Sequence, residues 1–148
     1  MKKFLTCLFF LIWVWQLQGQ SVVGKWITYD VFDSSIEEAV VDIRVRDGQL
    51  HMRIDSIIPE EHRDDLCVRC TDEFKDQPIL GMEILHGARL EDGVWRGARI
   101  LNAKNGRWYG CLIWPTNGNR LKVRGYIGYP IFGKNLYWIR LEEKTHPH

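Results

Sequence analysis

The sequence has no excess of charge of either sign, because 20 lysines and arginines stand against 19 aspartates and glutamates in its 148 residues. Domains dedicated to nucleic acid carry a basic stripe, so this balance argues against a nucleic-acid partner. The composition is otherwise that of a soluble globular domain, with 45% apolar and 26% charged residues. A chain of this length is expected to form one domain.

The sequence has only one long apolar run, at residues 4–15, directly after Lys2 and Lys3. A basic start, about twelve apolar residues and a short polar stretch are the pattern of an export signal. The run is shorter than the roughly 20 residues that span a bilayer, and an uncleaved anchor is the rival interpretation. We therefore expect residues 1–20 to be a signal peptide, and residues 21–148 to be a periplasmic or extracellular domain without a transmembrane span.

The mature sequence also lacks a long helical period, whereas its turn dipeptides are regular. Four Asp-Gly or Asn-Gly pairs separate runs rich in β-branched and aromatic residues, as hairpin turns do. Several runs, such as 41–46 and 50–55, alternate apolar and polar residues, which predicts one dry and one wet face. The eight predicted strands are 24–29, 40–46, 49–57, 79–89, 94–101, 107–114, 121–127 and 136–142.

Eight short strands joined mostly by hairpins favour an all-β fold, a single antiparallel up-and-down barrel whose closure removes exposed edges. The interior of such a barrel holds side chains or one small ligand. One connection, residues 59–78, is a long acidic loop that contains Cys67 and Cys70, with a short helix expected at 59–65. Loops of this length tend to be lids or binding loops.

Gly24 and Trp26 open the first strand as Gly-Lys-Trp, and Arg140 lies near the end of the last strand. This pattern resembles the Gly-x-Trp motif and terminal arginine of the lipocalin-like (calycin) barrels, where the arginine lies across the tryptophan at the closed end. A guanidinium over an indole ring contributes about 0.5–2 kcal/mol. The resemblance implies that the barrel is lipocalin-like and that these three residues are structural.

A closer resemblance covers nearly the whole mature chain. The segments that carry it are Gly24–Trp26, the Cys67–Cys70 loop, 78–85, 103–109, 123–128 and Trp138. In order and spacing they are similar to the bacterial secreted domain-of-unknown-function family 2147. The family implies a small exported β-barrel and brings no established activity that could be transferred.

Three cysteines follow the signal: Cys67, Cys70 and Cys111. In an oxidising compartment two are expected to form a disulfide, and the third stays free or pairs between molecules. A structural bridge would be Cys67–Cys70, or one of these two joined to Cys111. Redox exchange is the weaker alternative, because no βαβ unit is visible and the acids around the pair would raise a thiol pKa.

Motifs for metal binding and catalysis are missing. Cys67 and Cys70 are spaced like half of a zinc site, and His62 and Cys111 are the residues that might complete it, but the second closely spaced ligand pair is absent. His146 and His148 could hold copper or nickel loosely. No Gly-x-Ser-x-Gly, His-Glu-x-x-His or phosphate-binding glycine loop occurs. Glu83 is expected to face outward or to pair across strands. We expect no metal site, no cofactor and no catalytic residues, and we favour a protein that is not an enzyme.

Aromatic residues are the remaining signal. The apolar, glycine-bracketed connection at 126–133 is typical of a ligand mouth or a partner surface, or of a loop folded back as a plug. The first hypothesis is a non-catalytic module that binds a small apolar or amphipathic ligand in the barrel mouth. Its candidate wall residues are Met52, Ile54, Met82, Ile84, Trp95, Trp108, Trp114 and Tyr126.

Two other classes of function stay open. A protein-interaction or assembly module of the cell envelope would use the Cys67–Cys70 loop and the Tyr129–Phe132 loop, both at one end of the barrel with exposed apolar side chains. A thiol-disulfide or metal-handling protein would depend on the cysteine pair. Replacing that pair by serine would then abolish function with little change of stability. The expected partner is therefore a small apolar ligand or another envelope protein.

Overall fold

The computed structural model describes residues 21–141, so the predicted signal peptide and the two C-terminal histidines lie outside the described residues. Nine strands are present: β1 Gly24–Tyr29, β2 Glu37–Arg46, β3 Gln49–Ile57, β4 Glu83–Glu91, β5 Val94–Arg96, β6 Arg99–Asn102, β7 Arg107–Trp114, β8 Arg120–Tyr126 and β9 Lys134–Arg140. The three other elements are single 3-10 turns: η1 Glu60–His62, η2 Asp72–Phe74 and η3 Pro130–Phe132. Within residues 21–141, no helix is long and apolar enough to cross a membrane.

The strands form one antiparallel sheet in the order β5-β4-β3-β2-β1-β9-β8-β7-β6. A pairing of Trp95 with Ile113 joins β5 to β7 and closes the sheet. β5 and β6 are the two parts of the strand predicted at 94–101, divided at Gly97, whose φ of 86° interrupts the extended backbone. With these two counted as one position, the predicted eight-stranded up-and-down barrel is confirmed.

The fourth strand begins later than the sequence predicts. Residues 79–82 form a turn, in which Gly81 has a φ of 83° and donates its N–H to the carbonyl of Ile54. The segment keeps contact with β3, since Ile54 also donates its N–H to the carbonyl of Met82, whose side chain is buried in the core. The helix predicted at 59–65 is the 3-10 turn η1.

Because the strands alternate in direction, their connections divide between two ends of the barrel. The upper end, as we define it, carries residues 30–36, 58–82, 103–106 and 127–133. The lower end carries the tight hairpins 47–48 and 92–93, the connection 115–119 and the start of β1. Asp47 and Gly48 both have positive φ, as the two-residue hairpin predicted from Asp-Gly requires.

Inward-facing apolar side chains fill the barrel. Those with 5% exposure or less include Trp26, Ile43, Leu50, Met52, Leu85, Ile113, Leu121, Val123 and Trp138. At the lower end the guanidinium of Arg140 lies 4.1 Å from the centre of the Trp26 ring and donates a hydrogen bond of 3.0 Å to the carbonyl of Val23. Gly24 has a φ of 131°, which L side chains rarely adopt, and a side chain there would also meet that guanidinium at 2.8 Å. The backbone angle explains the glycine of the Gly-x-Trp motif.

Candidate functional site

The cysteine loop, residues 58–82, is an ordered part of the structure. Cys67 and Cys70 form a disulfide with a Cα–Cα distance of 5.3 Å, and both residues are buried. The backbone N–H of Cys67 donates to Gln77, and the N–H of Asp76 donates back to the Cys67 carbonyl. The predicted disulfide is therefore confirmed in its local form, which holds the two arms of the loop together.

The loop also packs against the β6–β7 turn. Cys67 Sγ lies 3.3 Å from the carbonyl oxygen of Ala103. A Cβ built at Gly106 would lie 1.9 Å from the carbonyl oxygen of Arg69, so the two backbones are in direct contact there. Phe74 meets Trp108 edge to face, with ring centres 5.4 Å apart. These contacts fix the loop on the upper end of the barrel.

Cys111 is the unpaired cysteine. It lies on β7, is 2% exposed, and belongs to the core cluster with both disulfide cysteines. Burial in apolar surroundings raises the pKa of its thiol to about 12. A thiol with so little thiolate at neutral pH is a poor nucleophile and a poor metal ligand.

The eight candidate wall residues divide into two groups. Met52, Ile54, Met82, Ile84 and Trp95 are all buried within the core cluster. The other three are half-buried: Trp108 packs against that core and contacts Phe74, whereas Trp114 and Tyr126 lie on the outer face.

Register places the last two outside. Trp114 is opposite Lys122, which alternates with the buried Leu121 and Val123, and the Lys122 ammonium lies 4.3 Å from the Trp114 ring centre. Tyr126 follows the same alternation, and its ring covers Gly110. The eight residues thus do not converge on one cavity, and contact between any of them and a ligand stays a prediction.

Two shallow concavities on the surface of residues 21–141 are open to solvent. One, of about 300 Å³, lies along the cysteine loop between Glu73 and Glu83. The other, of about 440 Å³, lies on the outer face of β2 and β3 and is lined mainly by charged side chains.

A group of exposed apolar side chains at the upper end is the most accessible candidate site. We call it the apolar rim; it consists of Phe32, Ile127, Tyr129, Ile131 and Phe132, which are 62–93% exposed. The ammonium of Lys134 lies 5.3 Å from the Phe32 ring centre and also bonds the carbonyl of Val31. The β1–β2 and β8–β9 connections are therefore neighbours, although about a hundred residues separate them in sequence.

Hydrogen bonds hold the Phe32 side of the rim in place. Asp30 Oδ1 accepts the backbone N–H groups of Phe32, at 2.8 Å, and Asp33, at 3.0 Å. Asp30 Oδ2 accepts from Lys104 at 3.1 Å, and Lys104 also pairs with Glu38. The N–H of Phe32, followed by the Lys104 ammonium, holds the pKa of Asp30 well below its usual range. Since β6 and β7 do not adjoin β1 and β2, this ion pair spans the upper end.

The comparisons with known proteins agree with this architecture. Residues 24–140 match the family described as "Uncharacterized protein conserved in bacteria (DUF2147)". The chain belongs to this family. A search of the curated proteins gives no match. Among solved structures, the chain is similar to protein HP1028 from the human pathogen Helicobacter pylori, whose title assigns it to the lipocalin family. The two share 14% identity and a TM-score of 0.72 over 85% of this chain and 86% of that one, which shows that the fold is lipocalin-like.

In this DUF2147 domain the side chains of Glu83 and His62 lie at the surface. Glu83 accepts a hydrogen bond from His51 at 2.8 Å and lies 3.7 Å from Arg46, so it faces outward and pairs across strands, as the sequence predicts. His62 pairs with Asp65. Within the described part of the chain, no three histidines, cysteines or acids are grouped as metal ligands.

Sequence reasoning found one half of the apolar rim and missed the other. Ile131 and Phe132 lie in the connection that the sequence singled out. Phe32 lies in a polar turn, and a lone aromatic residue between two aspartates was the only signal for it.

Proposed function

We propose that this protein is an exported, non-catalytic binding module, and that it takes a small apolar or amphipathic ligand at the apolar rim. The observation that carries the proposal is the exposure of Phe32, Ile131 and Phe132, at 93%, 79% and 77%, on neighbouring loops at one end of the barrel. Exposed groups of large apolar side chains mark binding surfaces in soluble proteins. A lipocalin-like barrel supports the small-ligand class by analogy of fold.

The rim suits an amphipathic ligand because its base is polar. Lys134 lies beneath the Phe32 ring, and Arg124 donates hydrogen bonds to the carbonyls of Pro130 and Ile131. An apolar ligand body would cover the rings, while a polar group would meet Lys134. The buried candidates Met52 and Ile54 would need displacement of core side chains before a ligand reached them, whereas the rim needs none.

Native mass spectrometry of the protein purified from a bacterial periplasm is the first test. We expect added mass from a retained small molecule, and a polypeptide that begins near residue 21, as export with signal cleavage requires. A full-length chain in the cytoplasmic fraction would contradict the export part of the proposal.

Binding of a fluorescent fatty acid then tests the site. Ile131→Ser/Phe132→Ser is expected to weaken binding at least about tenfold, because each lost apolar contact contributes on the order of 1 kcal/mol. The matched control is Val23→Ser/Leu90→Ser, which removes two exposed apolar side chains near the lower end and should change affinity less than about twofold. Equal loss in both variants, or no binding by the wild type, would contradict a ligand site at the rim.

A protein-interaction module is the second candidate, because one observation favours it specifically. The cysteine loop and the Tyr129–Phe132 loop lie at the same end of the barrel, and Leu66 and Val68 of the cysteine loop are also exposed. A photo-crosslinking side chain at position 131 would capture one defined envelope protein in the periplasm if this module is correct. The same side chain at position 90 is the control.

A further inference from the structure

The outer face of β2–β5, remote from the apolar rim, carries five arginines. We call it the arginine face; it consists of Arg44, Arg46, Arg53, Arg89 and Arg96 together with His51 and His86. Three of the arginines, Arg46, Arg89 and Arg96, lie in one row across β2, β4 and β5. Gln49 on β3 completes the row, because it is opposite both Arg46 and Arg89, and Arg89 is opposite Arg96. Neighbouring strands are about 4.8 Å apart, so this row extends over roughly 15 Å.

Four acids, Asp42, Asp55, Glu83 and Glu91, lie on this face against its five arginines, and Lys25 pairs with Asp55 at 2.9 Å. Asp42 is held by Arg44, whose Nε and Nη2 lie 3.0 and 2.9 Å from Oδ2. Glu83 is held by His51 and, more distantly, by Arg46. Glu91, on the edge of the face, is exposed.

Three arginines are left over. Arg53, Arg89 and Arg96 form no ion pair with any residue in the range 21–141, although the register places Arg53 between Asp42 on β2 and Glu83 on β4. Arg89 and Arg96 face each other directly across two strands, an arrangement that is destabilising for like charges without a counter-ion. Arg96 Nε is buried and has no hydrogen-bond partner among the described residues, so only the terminal nitrogens of this guanidinium are available to a ligand.

A pocket of about 440 Å³ opens on the same face, with Arg44, Arg46, Arg53, His51, Asp42 and Glu83 in its lining. Guanidinium groups bind phosphate oxygens in pairs through their planar fork of N–H donors. A single phosphate would engage one or two of these arginines, whereas a pocket of this size and a row beyond it offer room for a second anionic group.

We propose that the arginine face binds an anion with two phosphate groups, either a soluble diphosphate or the phosphorylated head group of a lipid. Arg53 and Arg46 hold one phosphate in the pocket, and Arg89 and Arg96 hold the second at its edge. Asp42 and Glu83, each already paired, orient the guanidinium groups and the His51 ring. This site is independent of the ligand proposed at the rim.

Calorimetric titration of the full-length mature protein with inorganic pyrophosphate tests the site, at about 0.15 M salt to screen diffuse attraction. We expect saturable binding that Arg46→Gln/Arg53→Gln weakens at least about tenfold. The matched control, Arg107→Gln/Lys122→Gln, removes two positive charges from β7 and β8 and should change affinity less than about twofold. Circular dichroism of both variants verifies that they fold.

Vesicles of phosphatidylcholine with cardiolipin, whose head group carries two phosphates, separate the two sources. Co-sedimentation that Arg46→Gln/Arg53→Gln abolishes and the control retains identifies a lipid head group; pyrophosphate binding without co-sedimentation identifies a soluble anion. Absence of both, or equal weakening in the two variants, overturns the proposal. Loss of rim binding in Ile131→Ser/Phe132→Ser does not bear on this result, because those residues lie in the β8–β9 connection and the arginine face lies on β2–β5.

Discussion

Gly106 and Arg69 touch backbone to backbone: a Cβ on Gly106 would lie 1.9 Å from the Arg69 carbonyl oxygen. This contact seats the disulfide-bonded part of the cysteine loop on the β6–β7 turn. The loop is consequently a fixed cap of the upper end of the barrel rather than a lid, because the two backbones are in van der Waals contact and leave no space between them.

Gly106→Ala therefore tests the seat of the loop. Gly106 and Gly48 share a φ of 72°, but nothing lies within 4 Å of a Cβ at Gly48. Gly48→Ala should cost about 1 kcal/mol for its left-handed backbone alone. Gly106→Ala adds overpacking and should lower the free energy of unfolding by about 3 kcal/mol in urea denaturation. Equal losses in the two variants would show that the contact is unimportant.

The disulfide should act through stability. Cys67→Ser/Cys70→Ser is expected to lower the free energy of unfolding by about 2 kcal/mol, a value typical of a bridge that closes a short loop. The wild type with reductant should match the variant, and the variant should not respond to reductant. A variant that keeps its melting temperature yet loses ligand or partner binding would instead support thiol-disulfide chemistry.

Cys111 should make stability fall in alkaline solution. Burial raises the pKa of its thiol to about 12 from a usual 9.0, so the folded state keeps the proton while the unfolded state loses it. The stability that this group contributes is complete below pH 9 and is lost as pH rises from there toward 12, at about 1.4 kcal/mol per pH unit. Urea denaturation across this range should show the added slope in the wild type and lack it in Cys111→Ala. Superimposable pH profiles of the free energy of unfolding in the wild type and Cys111→Ala would contradict this role of the Cys111 thiol.

Lys104→Gln should separate two causes of the low Asp30 pKa. The N–H of Phe32 contributes most and the Lys104 ammonium next. Removing the ammonium should raise the pKa of Asp30 only part of the way to its usual value, because Phe32 and Asp33 still donate their N–H groups. Carboxyl chemical shifts followed through an acid titration measure this. A pKa restored fully to the usual value would mean that the turn around Phe32 depends on Lys104.

Local signals were enough for much of the fold. Asp47-Gly48 and similar dipeptides fixed the hairpins, and alternation along residues 41–46 and 50–55 separated inside from outside. The sequence does not predict the Gly97 break or the late start of β4, because single glycines and a turn with apolar residues leave the apolar pattern unchanged.

The candidate site was harder to predict. Alternation along 121–126 places Tyr126 on the outer face of β8 and the buried Leu121 on the inner face. Large aromatic side chains occur on both faces of sheets, so composition alone assigns Trp114 and Tyr126 to a ligand wall. The structure does not bring that wall together. Cysteine pairing stayed open because spacing alone does not exclude Cys111.

By itself, the sequence determined an eight-stranded antiparallel barrel with one long cysteine-containing loop, because side-chain alternation and turn dipeptides act between near neighbours. The tertiary structure decided which distant residues meet. Pairing of β1 with β9 brings Phe32 beside the 127–133 connection, and the register of β2–β5 aligns Arg46, Arg89 and Arg96. The position of Phe32 and the row of arginines both depend on barrel closure and strand register. These arise from the packing of the whole core, so a local stretch of sequence does not predict them.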